Sequence, residues 1–362
     1  MLLFLGAALW VHARRPGVRA TDSPLLAAHA SSNAYDSYLR GTFLRLRHGK
    51  PADSLAAIDA LKRATEADPS FAKAYAALAL AYADRLFFVT PAERKSLEEE
   101  AYVAAEKAAS LNPNLAEIYI ARAHLLWTPA NHFAHERAVQ QARRAVALDP
   151  NSEEGHNELA QIYNHIGLLD RALQEARRAA VLDPSSTPPV FQIGHALLLQ
   201  GEWEQALRVY RSIPEEDLPE VVASHMAWAL FQLGRSDEAT ALIERYLRSY
   251  PADPGGMLTG MQALLFAAAG DEQHAQDAIA KASKKGDYGH FHHTAYWIAN
   301  AYARMHRTRA AMHWLQETGD TGFPCYPLFL HDPNLNSLRG DSRFIQYMGG
   351  LRKQWEYYKG HL

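Results

Sequence analysis

The feature that most constrains this chain is a recurring punctuation by proline. Prolines follow acidic or polar residues at Asp68-Pro69, Asn112-Pro113, Asp149-Pro150 and Asp183-Pro184, with further prolines in step at Pro214 and Pro251. Successive separations are 44, 37, 34, 30 and 37 residues, a period of about 36 that belongs to stacked repeats rather than to a single globular core.

The sharpest unit runs from Glu153 to Pro184. Leu159, Ala160 and Tyr163 share one face of a first helix, and Ala172, Ala176 and Ala179 share one face of a second. Offsets of 3, 4 and 7 mark amphipathic helices. Gly167 falls between them, where the reversal of the backbone calls for a left-handed residue, and Pro184 ends the second helix. The constellation recurs as Tyr75, Leu78, Ala79, Tyr82, then Ala101, Ala105, Ala108 and Pro113, around an insertion of about ten residues near Leu86 to Ser96. Further copies pass through Tyr119 and Ala138, Gly194 and Ala206, and Ala227 and Ala239. Degenerate copies pass through Ala263 and Ala275 and through Ala299 and Ala311, and Gly41 with Ala57, Leu61 and Ala64 begins the series.

These residues resemble the tetratricopeptide repeat, which places a large residue, Leu, Gly or Ala, and Tyr on its first helix, then Ala, an apolar residue, Ala and Pro on its second. The resemblance implies an all-α, right-handed α-solenoid of about eight helix pairs over 34–319, with a C-terminal helical cap at 320–362. His156, Val190 and Ala223 depart from the aromatic of that pattern. The closing stretch Asp332-Pro333-Asn334-Leu335, followed by Leu338-Arg339-Gly340-Asp341-Ser342-Arg343-Phe344, is similar to the end of tetratricopeptide sensor regions in bacterial membrane-linked signalling proteins, as is the opening Tyr35-Asp36-Ser37-Tyr38-Leu39-Arg40-Gly41. In those proteins a winged-helix, kinase or cyclase domain precedes a membrane helix. The resemblance thus carries a second expectation, the sensory half of a winged-helix transcriptional regulator without its DNA-binding domain.

Residues 1–15 form an apolar segment in which Met1 to Val11 would reach about 16 Å as a helix, short of a hydrocarbon core of about 30 Å. The segment reads as a truncated membrane anchor, with a misassigned start or a frayed helix as the alternative. Residues 16–33 read as a linker. The side of the membrane stays open: Arg14 and Arg15 favour a cytoplasmic carboxyl side and the family resemblance the opposite one.

In the resembled fold the first helices line a concave groove, which assigns a candidate peptide-binding surface to His124, Trp127, Asn157, Gln161, Asn164, Phe191, His195, Leu198, Ser224, Trp228 and Phe231. Aromatic faces with directional amides suit an extended peptide or a helix. Phe191 and Trp228 are equally suited to finishing the core between repeats. Neighbouring groove positions carry Ile120, His124, Phe191 and His195, not the cations that would clamp a terminal carboxylate. Lys+Arg 37 against Asp+Glu 40 gives a formal net charge of −3, without the positive excess that nucleic acid requires. A protein or peptide is therefore the expected partner. No glycine-rich phosphate loop or kinase sequence is present. Runs such as Glu98-Glu99-Glu100 read as solvated faces, and Arg143-Arg144 and Arg177-Arg178 as outward charges. His290, His292 and His293, with His306 and His313 nearby, read as exposed or helix-end histidines rather than metal ligands, and Cys325, the single cysteine, as an unreactive thiol. The sequence thus points to a non-catalytic scaffold needing neither metal nor cofactor.

Overall fold

A computed structural model of the protein describes residues 32–46, 51–86, 89, 91–217, 219–286 and 290–362. The apolar segment 1–15 and the linker as far as Ala30 and Ser31 lie outside the described residues. Sixteen of the helices form eight consecutive antiparallel pairs. The first four pairs are α1 (Ser32–Arg45) with α2 (Pro51–Ala67), α3 (Ala72–Arg85) with α4 (Pro91–Leu111), α5 (Ala116–Leu126) with α6 (His135–Leu148), and α7 (Glu153–His165) with α8 (Leu169–Leu182). The second four are α9 (Thr187–Leu199) with α10 (Trp203–Tyr210), α11 (Pro219–Gln232) with α12 (Ser236–Ser249), α13 (Met257–Ala268) with α14 (Glu272–Ser283), and α15 (Phe291–Arg304) with α16 (Thr308–Asp320). First helices of successive pairs also pack on one another, as in α3 with α5 and α13 with α15, so the molecule is an all-α solenoid.

The seams between paired helices are made of small residues. Ala57, Ala101, Ala105, Ala138, Ala142, Ala172, Ala176 and Ala179 are fully buried, which lets the helix axes approach closely. At Gly194 the approach is closer still: an added Cβ would sit 2.6 Å from Cε1 of the buried Tyr210 ring. Gly167 reverses the chain between α7 and α8 at φ +77°, as the sequence requires. The same alanine register turns Arg143, Arg144, Arg177 and Arg178 to solvent. Glu98 departs from the expected solvated face. Its position on the 21-residue α4 turns it inward to 8% exposure, while Glu99 and Glu100 stay outside.

Beyond α16 the chain is more regular than its prolines suggest. It forms α17 (Tyr326–His331), a 3-10 turn at Pro333–Leu338, and α18 (Ser342–His361). The Asp332 carboxylate accepts from the Asn334 N–H and the Asp341 carboxylate from the Arg343 N–H, supplying a side-chain acceptor at each start. Cys325 is fully buried ahead of α17, and burial pushes its thiol up to about 12. The tail covers more than the last pair. Trp355 Nε1 donates to the Gly167 carbonyl at 2.9 Å, and Arg171 donates to the Lys359 carbonyl at 3.1 Å, so α18 reaches back to the turn of the fourth pair. Among the described residues no helix is long and apolar enough to cross a membrane.

Two glycine substitutions separate packing from propensity. Gly194→Ala gains about 1 kcal/mol of helix propensity but overpacks against Tyr210, typically at about 1–3 kcal/mol, so its urea midpoint should fall. Gly349 on α18 has open space around it, so Gly349→Ala should raise the midpoint, by up to about 1 kcal/mol.

Candidate functional site

The first helices of the first four pairs are joined by a ladder of charged side chains. Arg45 on α1 donates from Nη1 to Asp84 on α3 at 3.0 Å and from Nη2 to Glu154 on α7. His124 on α5 lies 2.5 Å through Nε2 from Glu158 Oε2 and 3.5 Å through Nδ1 from Asp84 Oδ1. Burial opposes a charge on the His124 ring, but Glu158 and Asp84 outweigh both that and Arg45 and hold its pKa up to about 9. With His124 protonated, three carboxylates face two cations. Each charge removed from water is therefore paired, the condition under which a buried ionic network is tolerated.

From the fourth pair onward the lining changes from charges to rings. His165 ends α7, His195 lies on α9, His225 on α11, and His292 and His293 near the start of α15. Besides its neighbour His292, His293 touches the three on other helices, with ring centroids 5.2 Å from His165, 5.2 Å from His195 and 5.0 Å from His225. Trp127 sits edge-on to His165 at 4.6 Å, and Phe323, from the start of the tail, lies 5.0 Å from His293. The last first helix is thus seated among the first helices of pairs four to six, and the inner side of the solenoid is closed by its own C-terminal part. Burial keeps these imidazoles neutral: His225 and His290 fall to about 4, and His165, His195, His292 and His293 lie well below the ordinary histidine value.

This closure decides where the sequence-derived groove residues lie. Trp127, Asn164, Phe191, His195, Leu198, Ser224 and Trp228 are all buried, rather than lining an open trough. Trp127 Nε1 donates to His135 Nδ1 at 2.9 Å, Asn164 donates to the Gln192 carbonyl and Oε1, and Ser224 donates to the Val221 carbonyl. Phe191 packs on Tyr210, and Trp228 on Tyr296. Of these, Trp127, His195 and Trp228 meet rings of α15, while Phe191 and Asn164 are satisfied by neighbouring repeats. His124, Asn157, Gln161 and Phe231 remain half-buried, with His124 in the charged ladder. His292 and His293 lie at a helix end, the start of α15, but at 1% and 5% exposure they are buried there, whereas His306 and His313 are exposed. His165 and His225 escaped the sequence reading, although their signal is there: His165, His195 and His225 stand 30 residues apart on successive first helices.

An open concavity lies at the edge of this closed interior, between the turns of pairs four and five and the tail. It is a cleft of about 310 Å³ walled by Leu199, Trp203, Trp228, Pro327, Leu328 and Trp355, with Asp170 at its margin. Trp203 and Trp355 are half-exposed. Asp170 accepts from Gln200 at 2.9 Å, and the Lys359 ammonium lies 4.4 Å from the centroid of the Trp355 ring. The arrangement offers flat apolar walls with the Asp170 carboxylate at the rim and His331 and Asp332 also in its lining.

The charged ladder makes stability depend on pH. The folded pKa of His124 lies above its unfolded value of about 6.5. Its stabilisation is therefore fully present below about pH 6.5 and is lost as pH rises through about 9. The shift corresponds to about 3 kcal/mol. Urea unfolding across that window should show the loss, and His124→Gln should be less stable at pH 6 with most of this slope removed. An unchanged slope in the variant would assign the effect elsewhere.

Residues 135–187 and 191–254 match the family model of the tetratricopeptide repeat. No curated protein matches the chain in sequence. Among solved structures, the human IFIT1 dimer with m7Gppp-AAAA is similar at 16% identity over 89% of this chain and 72% of its own, with a TM-score of 0.58. The APC/C hetero-tetramer Cut9-Hcn1 is similar at 14% identity over 88% and 63%, with a TM-score of 0.53. A tetratricopeptide repeat protein from Parabacteroides merdae is similar at 18% identity over 69% and 94%, with a TM-score of 0.47. The tetratricopeptide repeat is thus matched over residues 135–187 and 191–254, and the same pairing and stacking of helices continues on both sides of that stretch within 32–320.

Proposed function

We propose that the protein is a non-catalytic interaction scaffold that captures a segment of a partner protein in the cleft between the turns of pairs four and five and the tail. The observation that carries this reading is the pair of half-exposed tryptophans, Trp203 and Trp355, facing one concavity whose floor includes Leu198 and Trp228. Rigid aromatic walls offer large contact area at low entropic cost, and such residues dominate binding energy at interfaces. A volume near 310 Å³ suits one or two apolar side chains of a peptide, and the Asp170 carboxylate favours a basic neighbour in that peptide. Leu198 and Trp228 of the expected groove residues enter this site as its floor. Trp127, Asn164 and Phe191 serve it only by holding the interior together.

RNA is a weaker reading. The IFIT1 structures are of dimers with PPP-AAAA and with m7Gppp-AAAA. Here, however, the inner helices present neutral histidines and carboxylates, and Arg45 is held between Asp84 and Glu154. A role in membrane-linked signalling, with the sensory half of a winged-helix regulator as its alternative, draws its support from the apolar segment 1–15 and the resemblance of the closing stretch around Asp332 to Phe344.

A displayed peptide library panned on the purified protein tests the cleft. Enriched peptides should share an apolar anchor, and Trp203→Ala and Trp355→Ala should each weaken the selected peptide at least tenfold with helicity unchanged. Equal binding by wild type and both variants, or no enrichment at all, would remove the cleft from the function.

A further inference from the structure

The ring-lined interior contains a polar arrangement that its own hydrogen bonds leave unresolved. His165 Nδ1 lies 2.7 Å from the Gln161 carbonyl, and His292 Nδ1 lies 2.8 Å from the Thr321 carbonyl. A carbonyl only accepts, so each Nδ1 is the protonated nitrogen of a neutral ring and each Nε2 carries its lone pair. Those two Nε2 atoms face one another at 3.1 Å. Both rings are buried away from water, where a second proton and the charge it brings are disfavoured, so the contact is not a hydrogen bond. Two lone pairs opposed in a dry site repel each other, and a cation between them converts the repulsion into two bonds.

The surroundings have the composition that a metal requires. His290 and His293 join His165 and His292 in a group of four imidazoles whose ligand atoms all lie within 4.8 Å of one another. A tetrahedral centre with metal–nitrogen bonds of about 2.0–2.1 Å separates its ligand atoms by about 3.4 Å. The 3.1 Å pair is thus nearly at its liganded spacing, and the other two rings need to move by about an ångström. Hydrogen bonding of the second ring nitrogen to a carbonyl, present at both His165 and His292, is the support that metal-bound histidines ordinarily have. Trp127 and Phe323 pack on the His165 ring and shield the cluster from water. His195 is fully buried nearby with neither ring nitrogen partnered, and with His225 and His293 it makes a second group of three within the same 4.8 Å limit. His293 belongs to both groups, so one ion occupying the four-imidazole set takes His293 from the other.

We propose that His165, His290, His292 and His293 bind one divalent transition-metal ion of the zinc class, held by four neutral imidazoles. Imidazole is a ligand of borderline softness, suited to zinc, copper, iron and nickel rather than to calcium or magnesium. Because His165 ends α7 and the other three lie at the start of α15, the ion joins segments 125 or more residues apart and fastens the eighth pair to the fourth. Four protein ligands fill a tetrahedral shell, which makes the site structural rather than hydrolytic.

The full chain, freed of metal by dialysis against a chelator, is titrated with zinc chloride in competition with a chromophoric chelator, and metal is counted by elemental mass spectrometry. One zinc per chain at submicromolar dissociation constant, a raised thermal midpoint, and an intense visible spectrum of tetrahedral nitrogen-ligated form with cobalt(II) are expected. His165→Gln and His292→Gln should each weaken zinc at least tenfold and the double variant should lose the cobalt spectrum, whereas His195→Gln and His225→Gln should leave the affinity within about threefold. The wild-type titration decides even if a variant fails to fold. Folded wild-type protein that takes up no zinc at micromolar concentration, or zinc retained by the folded double variant, would overturn the site.

Discussion

The contact on which the rest of the molecule depends is the seating of α15 among α7, α9 and α11. A stack of helix pairs ordinarily touches only its neighbours and leaves its inner side to water. Here the ring of His293 meets rings from three consecutive first helices, so the eighth pair takes the place that an external ligand would have in an open array. The small-residue seams make this possible. Fully buried alanines in the second helices, and glycine opposite Tyr210, bring the paired axes close, and the curvature accumulated over successive pairs carries the tail back to Gly167.

The interior changes character along its length. Toward the amino end, charges are paired across the first helices through Arg45, Asp84, His124 and Glu158. Toward the carboxyl end, neutral imidazoles and indoles replace them. An ion pair out of water needs every member present, while aromatic edges tolerate approximate geometry and add contact area. The charged half fixes which helices lie side by side, and the ring-filled half supplies the burial that holds the arc shut.

Much of this fold was legible in the sequence, for a physical reason. Alanine offsets and phased prolines are local consequences of helix packing, so Ala172, Ala176, Ala179 and Gly167 announced a helix pair without reference to anything distant. The site was less legible. His195, Trp127 and Trp228 do lie on the inner sides of first helices, but whether an inner residue meets solvent or another helix depends on how far the array curls, a property summed over all the pairs. That the helix-end residues His292 and His293 are buried could not be read from their neighbours, because their partners, His165, His195 and His225, are 67 to 128 residues away. Only the 30-residue spacing of those three left a trace that a reader of the sequence could have followed.

The bond from Trp355 to the Gly167 carbonyl closes a loop of chain 188 residues long. In an open array each unit can melt at its own end and the others persist, so unfolding proceeds by fraying. A clasp between the tail and the fourth unit removes one of the two free ends. The stretch from the fourth unit to the carboxyl terminus must then come apart together or not at all, and the first three units are left as the region in which partial opening begins.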